Sequence, residues 1–597
     1  MRRIVPGQRL FLRLICLAVV LSSVPVWLIA GTDWAPVDPN ELTMKSDPLA
    51  PGASAIVLYR QVDRDDNGRT SHEFNYVRIK ILNEEGRKYA DVEIPFVKEV
   101  SEVVNVRART IRPDGSIVNF EGKPFEKSIV KAKGMKYLAK TFTLPDVQPG
   151  GIIEYYYTYN YPEYYIYDSH WIISDELFTR HAKFSLKPYS SSYQRFSVRW
   201  SWQDLPPGSA QPKEGPDHII RLEVFNVPPF QTEDFMPPEN ELKARVDFIY
   251  SEENFAADAD AYWKNVGKRL YDRLEGQVGK RAVLDQAVSQ IVSPGDAPEV
   301  KLHKIYARVQ QMRNTSYEVQ KTEQEEKRDK EKNTNTLADV WKQGHGNGTQ
   351  LTWLYFALLR SAGFEAYGVM VSDRAHYFFN QKSLDSSRLN ANLVLIKLDG
   401  KDIYCDPGAL FAPFGMLPWA ETGVLGLRLD KDGGSWVHTP VPPSSVSRVE
   451  RTAQLKLSDT GELEGKLTLT YTSLEAMVRR REERNEDEAE RKQFLEDQVK
   501  EYIPTGTDVE LTNHPDWSNS ASDLTAEFNM KVPGWVSSAG RRVLFPVALF
   551  GEPEKHVFEH AGRVHSIYFE FPFQKIDDVT VELPAGWKVS SLPPPVK

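Results

Sequence analysis

From about Ala55 to Phe230 the chain is a succession of short runs rich in Val, Ile, Tyr, Phe and Thr, broken by turn residues such as Asp66-Asn67-Gly68, Pro113-Asp114-Gly115 and Pro149-Gly150-Gly151. Branched and aromatic side chains suit a pleated, half-buried surface, and these turn residues reverse the chain tightly, so an N-terminal antiparallel β domain is expected over residues 50–240. The stretch from Pro206 to Pro216 has no apolar periodicity and reads as a long hairpin loop. With 597 residues, three or four globular units at about 150 residues each are expected. Apolar residues make up 41% of the chain, enough for substantial cores, and 11% aromatic content argues against wholesale disorder.

Around Pro228 to Pro238 the pattern changes. From Asn254 to Ile291 apolar residues recur at helical spacing, Trp263, Val266, Leu270 and Tyr271 and then Val283, Ala287 and Ile291. Residues 299–313 read as another amphipathic helix, and the charge run Lys321 to Lys332 as a solvated loop or helix extension. Leu351 to Ala362 is an apolar helix closed by Gly363, followed by strand-like segments at Ala366 to Val371, Leu393 to Leu398 and Ile403 to Cys405. Residues 250–430 are therefore expected to be a helical lead-in and an α+β core. Beyond Pro440 a C-terminal β-rich domain is expected over 445–597, with runs at Ala453 to Leu457, Leu463 to Tyr471, Ala526 to Val532, Ser566 to Phe571 and Val579 to Leu583. It carries one charged helix, about Leu474 to Tyr502. The fold class expected is multidomain α+β.

Arg2, Arg3, Arg9 and Arg13 precede an uncharged apolar run from Leu14 to Ala30, which is the pattern of an export signal or, uncleaved, of an N-terminal anchor over residues 1–31. Removing residues 1–30 takes away those four cations and no acid, so the formal charge of -9 becomes -13. An acidic exported protein is not recommended to nucleic acid, and a membrane contact is expected only through an uncleaved N-terminal segment. The two cysteines are Cys16, in the signal, and Cys405, so no internal disulfide and no paired-thiolate metal site is expected in the mature chain, nor any cofactor.

The segment Gly344-His345-Gly346-Asn347-Gly348-Thr349-Gln350 precedes the apolar helix, which runs into Ala357-Leu358-Leu359-Arg360-Ser361-Ala362-Gly363. This resembles the transglutaminase-like superfamily, in which a Gly-Tyr-Gly-Asp-Cys-Lys-Asp type turn starts a helix ending Ala-Leu-Leu-Arg-Ala-Ala-Gly-Ile. Downstream, Leu389-Asn390-Ala391, Leu398-Asp399-Gly400-Lys401 and Cys405-Asp406-Pro407 stand where the family has Phe-Asn-His, a Leu-Asp-Gly-Lys turn and an Asp-Pro. Upstream, Ala108-Arg109-Thr110-Ile111-Arg112-Pro113-Asp114-Gly115 and Thr141 to Val147 through Ile153-Glu154-Tyr155 are similar to the uncharacterised β domain ahead of such cores in exported bacterial proteins. Leu463-Glu464-Gly465 and the charged helix are similar to the β domain that follows them. The resemblance implies a papain-like core and a periplasmic or secreted location.

It also implies what the site has lost. A family cysteine at the helix start is a thiolate favoured by the helix dipole and a nearby histidine, which an aspartate orients. Here those positions are Gly348, Ala391 and Asp406, so neither nucleophile nor base remains. A vestigial cleft is expected at His345, Asn347, Trp353, Asn390 and Asp406, with Asn347 or Thr349 as a helix cap. The expected role is non-catalytic binding of a peptide, a cell-wall-derived ligand or an exported partner protein. The alternative is an active cysteine transamidase or peptidase rebuilt around Cys405 with His376 or His345 as a displaced base. Two further patterns carry both a functional and a structural reading. His556-Val557-Phe558-Glu559-His560 spells an inverted zinc-peptidase motif but sits among strand signals, where a chance match is expected. Tyr155, Tyr156, Tyr157, Tyr159, Tyr161, Tyr164, Tyr165 and Tyr167 with Trp171 form either a stacking platform or ordinary strand packing.

Overall fold

The computed structural model describes residues 34–98, 100–132, 135–163, 169–190, 197–251, 258–318, 334–540, 542–550 and 562–594. The N-terminal segment 1–31, the Lys321 to Lys332 run, Tyr164, Tyr165, Tyr167 and the His556 to His560 pattern lie outside them. The molecule is multidomain, mixed α+β and rich in β-structure.

The N-terminal part is built on an eight-stranded sheet whose central strands are Ala55–Asp65, His72–Ile81 and Ile152–Asn160. A three-stranded sheet containing Asp91–Val97 buries Val92, Ile94 and Phe96 against it, the residues between them facing solvent. A second three-stranded sheet packs Trp171, Val246 and Phe248 on Phe184 and Leu222. Trp171 is therefore core, and Tyr155, Tyr157 and Tyr159 are half-buried against the first of these clusters, as strand packing requires. The region is not wholly antiparallel: Ala55–Asp65 and Thr179–Lys187 pair in parallel, from Val57 with Thr179 to Asp65 with Lys187. A parallel pair needs a long crossover, which here is the whole intervening meander. Pro206 to Pro216 is no hairpin loop. The strand before it, Ser197–Gln203, pairs with Arg245–Ser251, and the strand after it, Ile220–Val227, pairs with Thr179–Lys187, so the segment crosses between sheets.

Next come helices Ala259–Gln277, Arg281–Ile291, Pro298–Gln310, Leu337–Gln343 and Gly348–Ser361. The last is buried from Leu351 to Leu359, so it is enclosed on all sides. One side packs on Val394, Ile396, Cys405 and Leu427 of a five-stranded antiparallel sheet, the other on Leu284, Leu302 and Ile305 of the lead-in helices. That sheet contains Glu365–Val371, Ala391–Leu398 and Lys401–Cys405 and two more strands, Leu425–Asp430 and Gly433–His438.

The C-terminal part is a second five-stranded sheet, with Arg448–Leu457 parallel to Gln574–Glu582 at its edge. The one charged helix expected there is two, Ser473–Glu482 and Glu488–Lys500, because Asp487 and Glu490 form a reciprocal capping box that starts a new helix. Ser566 to Phe571 is not a strand but an extended strap, whose Tyr568 amide donates to the Phe235 carbonyl at 2.7 Å.

Candidate functional site

The central helix begins with Asn347, whose side chain accepts from the Gln350 amide at 2.9 Å while Gln350 Oε1 accepts from the Asn347 amide at 2.9 Å. The Gly348 amide donates to Ser316 Oγ at 2.9 Å. Gly348 lies against Gly408, backbone to backbone. A Cβ on residue 348 would stand 3.0 Å from the Gly408 carbonyl oxygen, and one on residue 408 only 2.1 Å from the Gly348 carbonyl oxygen and 2.4 Å from Thr352 Oγ1. From the other side Asn314 Nδ2 donates to the same Gly408 carbonyl at 2.9 Å. A side chain on this helix start would press on the Gly408 main chain from its first atom.

Asp406 is buried just before that turn. Its Oδ1 accepts from the Gly408 amide at 3.0 Å and from the Thr352 hydroxyl. The Glu421 carboxyl is buried beside it and hydrogen-bonds it. Burial pushes Asp406 up to about 6, and burial followed by the Asp406 and Asp373 charges pushes Glu421 well above the usual carboxylate range. Glu421 Oε2 has no hydrogen-bond partner among the described residues. Two buried carboxyls set side by side favour sharing one proton, which would tie together the two ends of the 406–421 loop.

The stability consequence has a definite sign. As pH rises above about 4 the unfolded chain releases these protons while the fold keeps them, so the contribution is full below that pH and lost as pH climbs through 6 and beyond. Glu421→Gln keeps a neutral donor for Asp406 and cannot ionise. Chemical unfolding is expected to show the variant and parent alike near pH 5 and the variant more stable by about 2 kcal/mol at pH 8. A gap that does not widen with pH would rule out the shared proton.

The other sequence candidates are scattered. Ala391 starts a strand opposite Val371, and Asn390 Oδ1 accepts the Asp373 amide at 2.9 Å, shaping a loop. His345 Nδ1 lies 3.4 Å from the Gln343 carbonyl. The His376 side chain is 61% exposed, with Nε2 3.8 Å from Asp373 Oδ2. Cys405 is fully buried, and desolvation pushes its thiol up to about 12 despite the Tyr355 hydroxyl beside it. No imidazole is among the groups acting on that thiol among the described residues. Trp353, expected to line a cleft, is instead core: it is 6% exposed and its ring meets Gly368 and Phe356, since a helix apolar all round turns every ring inward.

The feature that sequence reasoning missed is a groove of about 1020 Å³. It lies between the loop Arg374 to Gln381, the turn Thr422 to Leu425 directly after Glu421, and the strap Tyr568 to Phe573. Phe378, Phe569, Phe573 and Val441 line it and remain more than 40% exposed. Arg374 closes one end: it donates to the Trp419 carbonyl at 3.0 Å, to Thr422 Oγ1 at 3.1 Å, and to the Tyr568 hydroxyl and Glu570 carbonyl of the strap. Glu233 from the N-terminal part fixes the strap's start, accepting the Val564 amide at 2.7 Å and the His565 amide at 3.0 Å. The groove is thus a junction of three parts of the chain. The alternating rings of Tyr568 to Phe573 were its only sequence signal, and a strand explains such alternation equally well. Among the described residues no cluster of His, Cys, Asp and Glu is placed to hold a metal ion, and no helix is long and apolar enough to cross a membrane.

The fold and site describe a multidomain, β-rich α+β protein. Residues 67–231 match the model of a domain of unknown function with a solved structure, DUF3857. Among solved structures, the chain is similar to a "putative protease" from Parabacteroides distasonis, at 10% identity and a TM-score of 0.46, over 83% of this chain and 94% of that one. It is also similar to leukotriene A4 hydrolase from Saccharomyces cerevisiae, at 9% identity and a TM-score of 0.19, over 41% and 40%. No curated protein matches it.

Proposed function

We propose that this is an exported transglutaminase-like protein that has lost its chemistry and works by binding, holding an extended peptide, a cell-wall-derived ligand or a partner protein in the aromatic groove. The observation that carries this reading is the close backbone approach of Gly348 to Gly408: the helix start carries no side chain, and a Cβ there would press on the Gly408 carbonyl oxygen at 3.0 Å. The order of capped apolar helix, antiparallel strands and Asp406 supports the transglutaminase-like assignment, and the charged and apolar pattern of residues 1–30 supports export. A site rebuilt on Cys405 is disfavoured, because a thiol buried and held protonated supplies no thiolate. The groove, by contrast, has the size and apolar lining of a ligand site at a junction between domains.

A pool of unstructured peptides carrying a benzophenone photocrosslinker tests the reading. Adducts are expected on Phe378 and the Tyr568 to Phe573 strap, lost in Phe569→Arg. Adducts confined to the Gly348 and Asp406 region would overturn it.

A further inference from the structure

One wall of the aromatic groove is formed by all six consecutive residues from Tyr568 to Phe573. A strand showing the groove one face would contribute every second residue, so main chain as well as rings makes up that wall. On either side of the bend at Glu570 and Phe571, Tyr568 and Gln574 turn their amides to the body of the protein, onto the Phe235 carbonyl at 2.7 Å and the Ser447 carbonyl at 3.0 Å. In an extended chain the residues beside them turn their N–H and C=O groups the other way. Those of Ile567, Phe569 and Phe573 meet no hydrogen-bond partner among the described residues, and the three side chains remain more than 40% exposed. An unpaired extended edge beside exposed apolar side chains is a template for an added extended chain, which brings main-chain hydrogen bonds and alternate side chains together.

We propose that the groove takes an extended peptide whose main chain runs along the strap, whose apolar residues lie on the exposed rings and whose lysine or arginine meets Glu570. This rests on the reading of the groove as the binding site and names its occupant. Glu570 lines the groove, and its carboxylate accepts no hydrogen bond among the described residues. Arg374 attracts that carboxylate, but its guanidinium spends its donors on the Trp419 and Glu570 carbonyls and on the Thr422 and Tyr568 hydroxyls, while Glu482 and Glu475 repel it. A cation brought by the ligand supplies the missing counter-charge. The whole chain, at a formal charge of -9, draws a basic segment in the same sense. A neutral wall-derived glycan would leave the carboxylate as it is.

The test is fluorescence anisotropy of the whole protein with a dye-labelled hexapeptide, Val-Phe-Val-Lys-Ser-Ser amide. Its companions carry glutamate in place of lysine, or N-methyl groups on the first and third or on the second and fourth amides. The lysine peptide is expected to bind at least tenfold tighter than the glutamate peptide, and one of the two methylated forms to lose at least tenfold while the other binds like the parent peptide. Because the whole chain is acidic, Glu570→Gln localises the charge effect: its side chain makes no hydrogen bond, so the fold is kept, and the preference for lysine is expected to fall below threefold. If none of the peptides binds, or if Phe569→Arg binds them all as the parent protein does, the groove is not the binding site and the proposed function fails with this inference. If they bind and Phe569→Arg weakens them, this inference alone falls when the two methylated forms bind alike, when glutamate serves as well as lysine, or when Glu570→Gln leaves the preference unchanged.

Discussion

Gly408→Ala is expected to cost about 3–5 kcal/mol of stability. The new Cβ would stand 2.1 Å from the Gly348 carbonyl oxygen and 2.4 Å from Thr352 Oγ1, and its neighbours are the first turn of the central helix and the turn after Asp406. Neither can yield cheaply. The helix start is fixed by the Asn347 and Gln350 capping pair, and the turn by Asp406 and by Asn314 Nδ2 on the Gly408 carbonyl. Urea unfolding measures the loss. Gly276→Ala is the control, since nothing lies within 4 Å of its added Cβ near the end of a helix, and it is expected to be neutral or slightly stabilising. A cost below about 1 kcal/mol for Gly408→Ala would mean that the turn after Asp406 does not press on the helix start.

Arg374→Ala is the second. One guanidinium there satisfies Trp419, Thr422, Tyr568 and Glu570 and lies over the rings of Trp419 and Tyr568. Its removal leaves several acceptors unpaired and unpins the strap from the loop, at an expected cost of about 2–4 kcal/mol. Because the strap is also held by Glu233 and by Phe571 packed on Ala409 and Met477, the loss is expected to be local. Hydrogen exchange should accelerate through residues 564–573 while the central helix stays protected, and peptide crosslinking in the groove should drop at least tenfold. Arg374→Lys should not rescue it, since an ammonium lacks the planar fork that reaches four partners in three directions. Unchanged exchange in the strap would show that Arg374 is not its clamp.

The elements along the chain were legible where a local signal exists. Asn347 and Gly363 mark the central helix at its two ends, and alternating burial in strands such as Asp91–Val97 follows from a period of two. Capping was legible at Asn347 for the same reason, but Asp487 was missed inside a run of charge that reads as one helix. What local pattern could not supply is who meets whom. The contact of Gly348 with Gly408, the partnership of Asp406 with Glu421 across a loop, and the parallel pairs at Ala55–Asp65 and Arg448–Leu457 all depend on long-range closure. The groove is the extreme case, since Arg374 finds Tyr568 across 194 positions. Trp353 was placed by its neighbourhood in sequence to the helix start, whereas burial of the whole helix decides where its ring goes.

A protein that works by binding alone has no thiol chemistry. The direct measurement is turnover by the purified protein, as amine incorporation into a glutamine donor and as cleavage of a peptide pool, with labelling by a thiol-reactive probe, beside Cys405→Ala. No turnover and no labelling of the folded protein are expected, with Cys405→Ala indistinguishable from the parent. Turnover by the parent that disappears with Cys405→Ala would contradict the binding account and make this an enzyme.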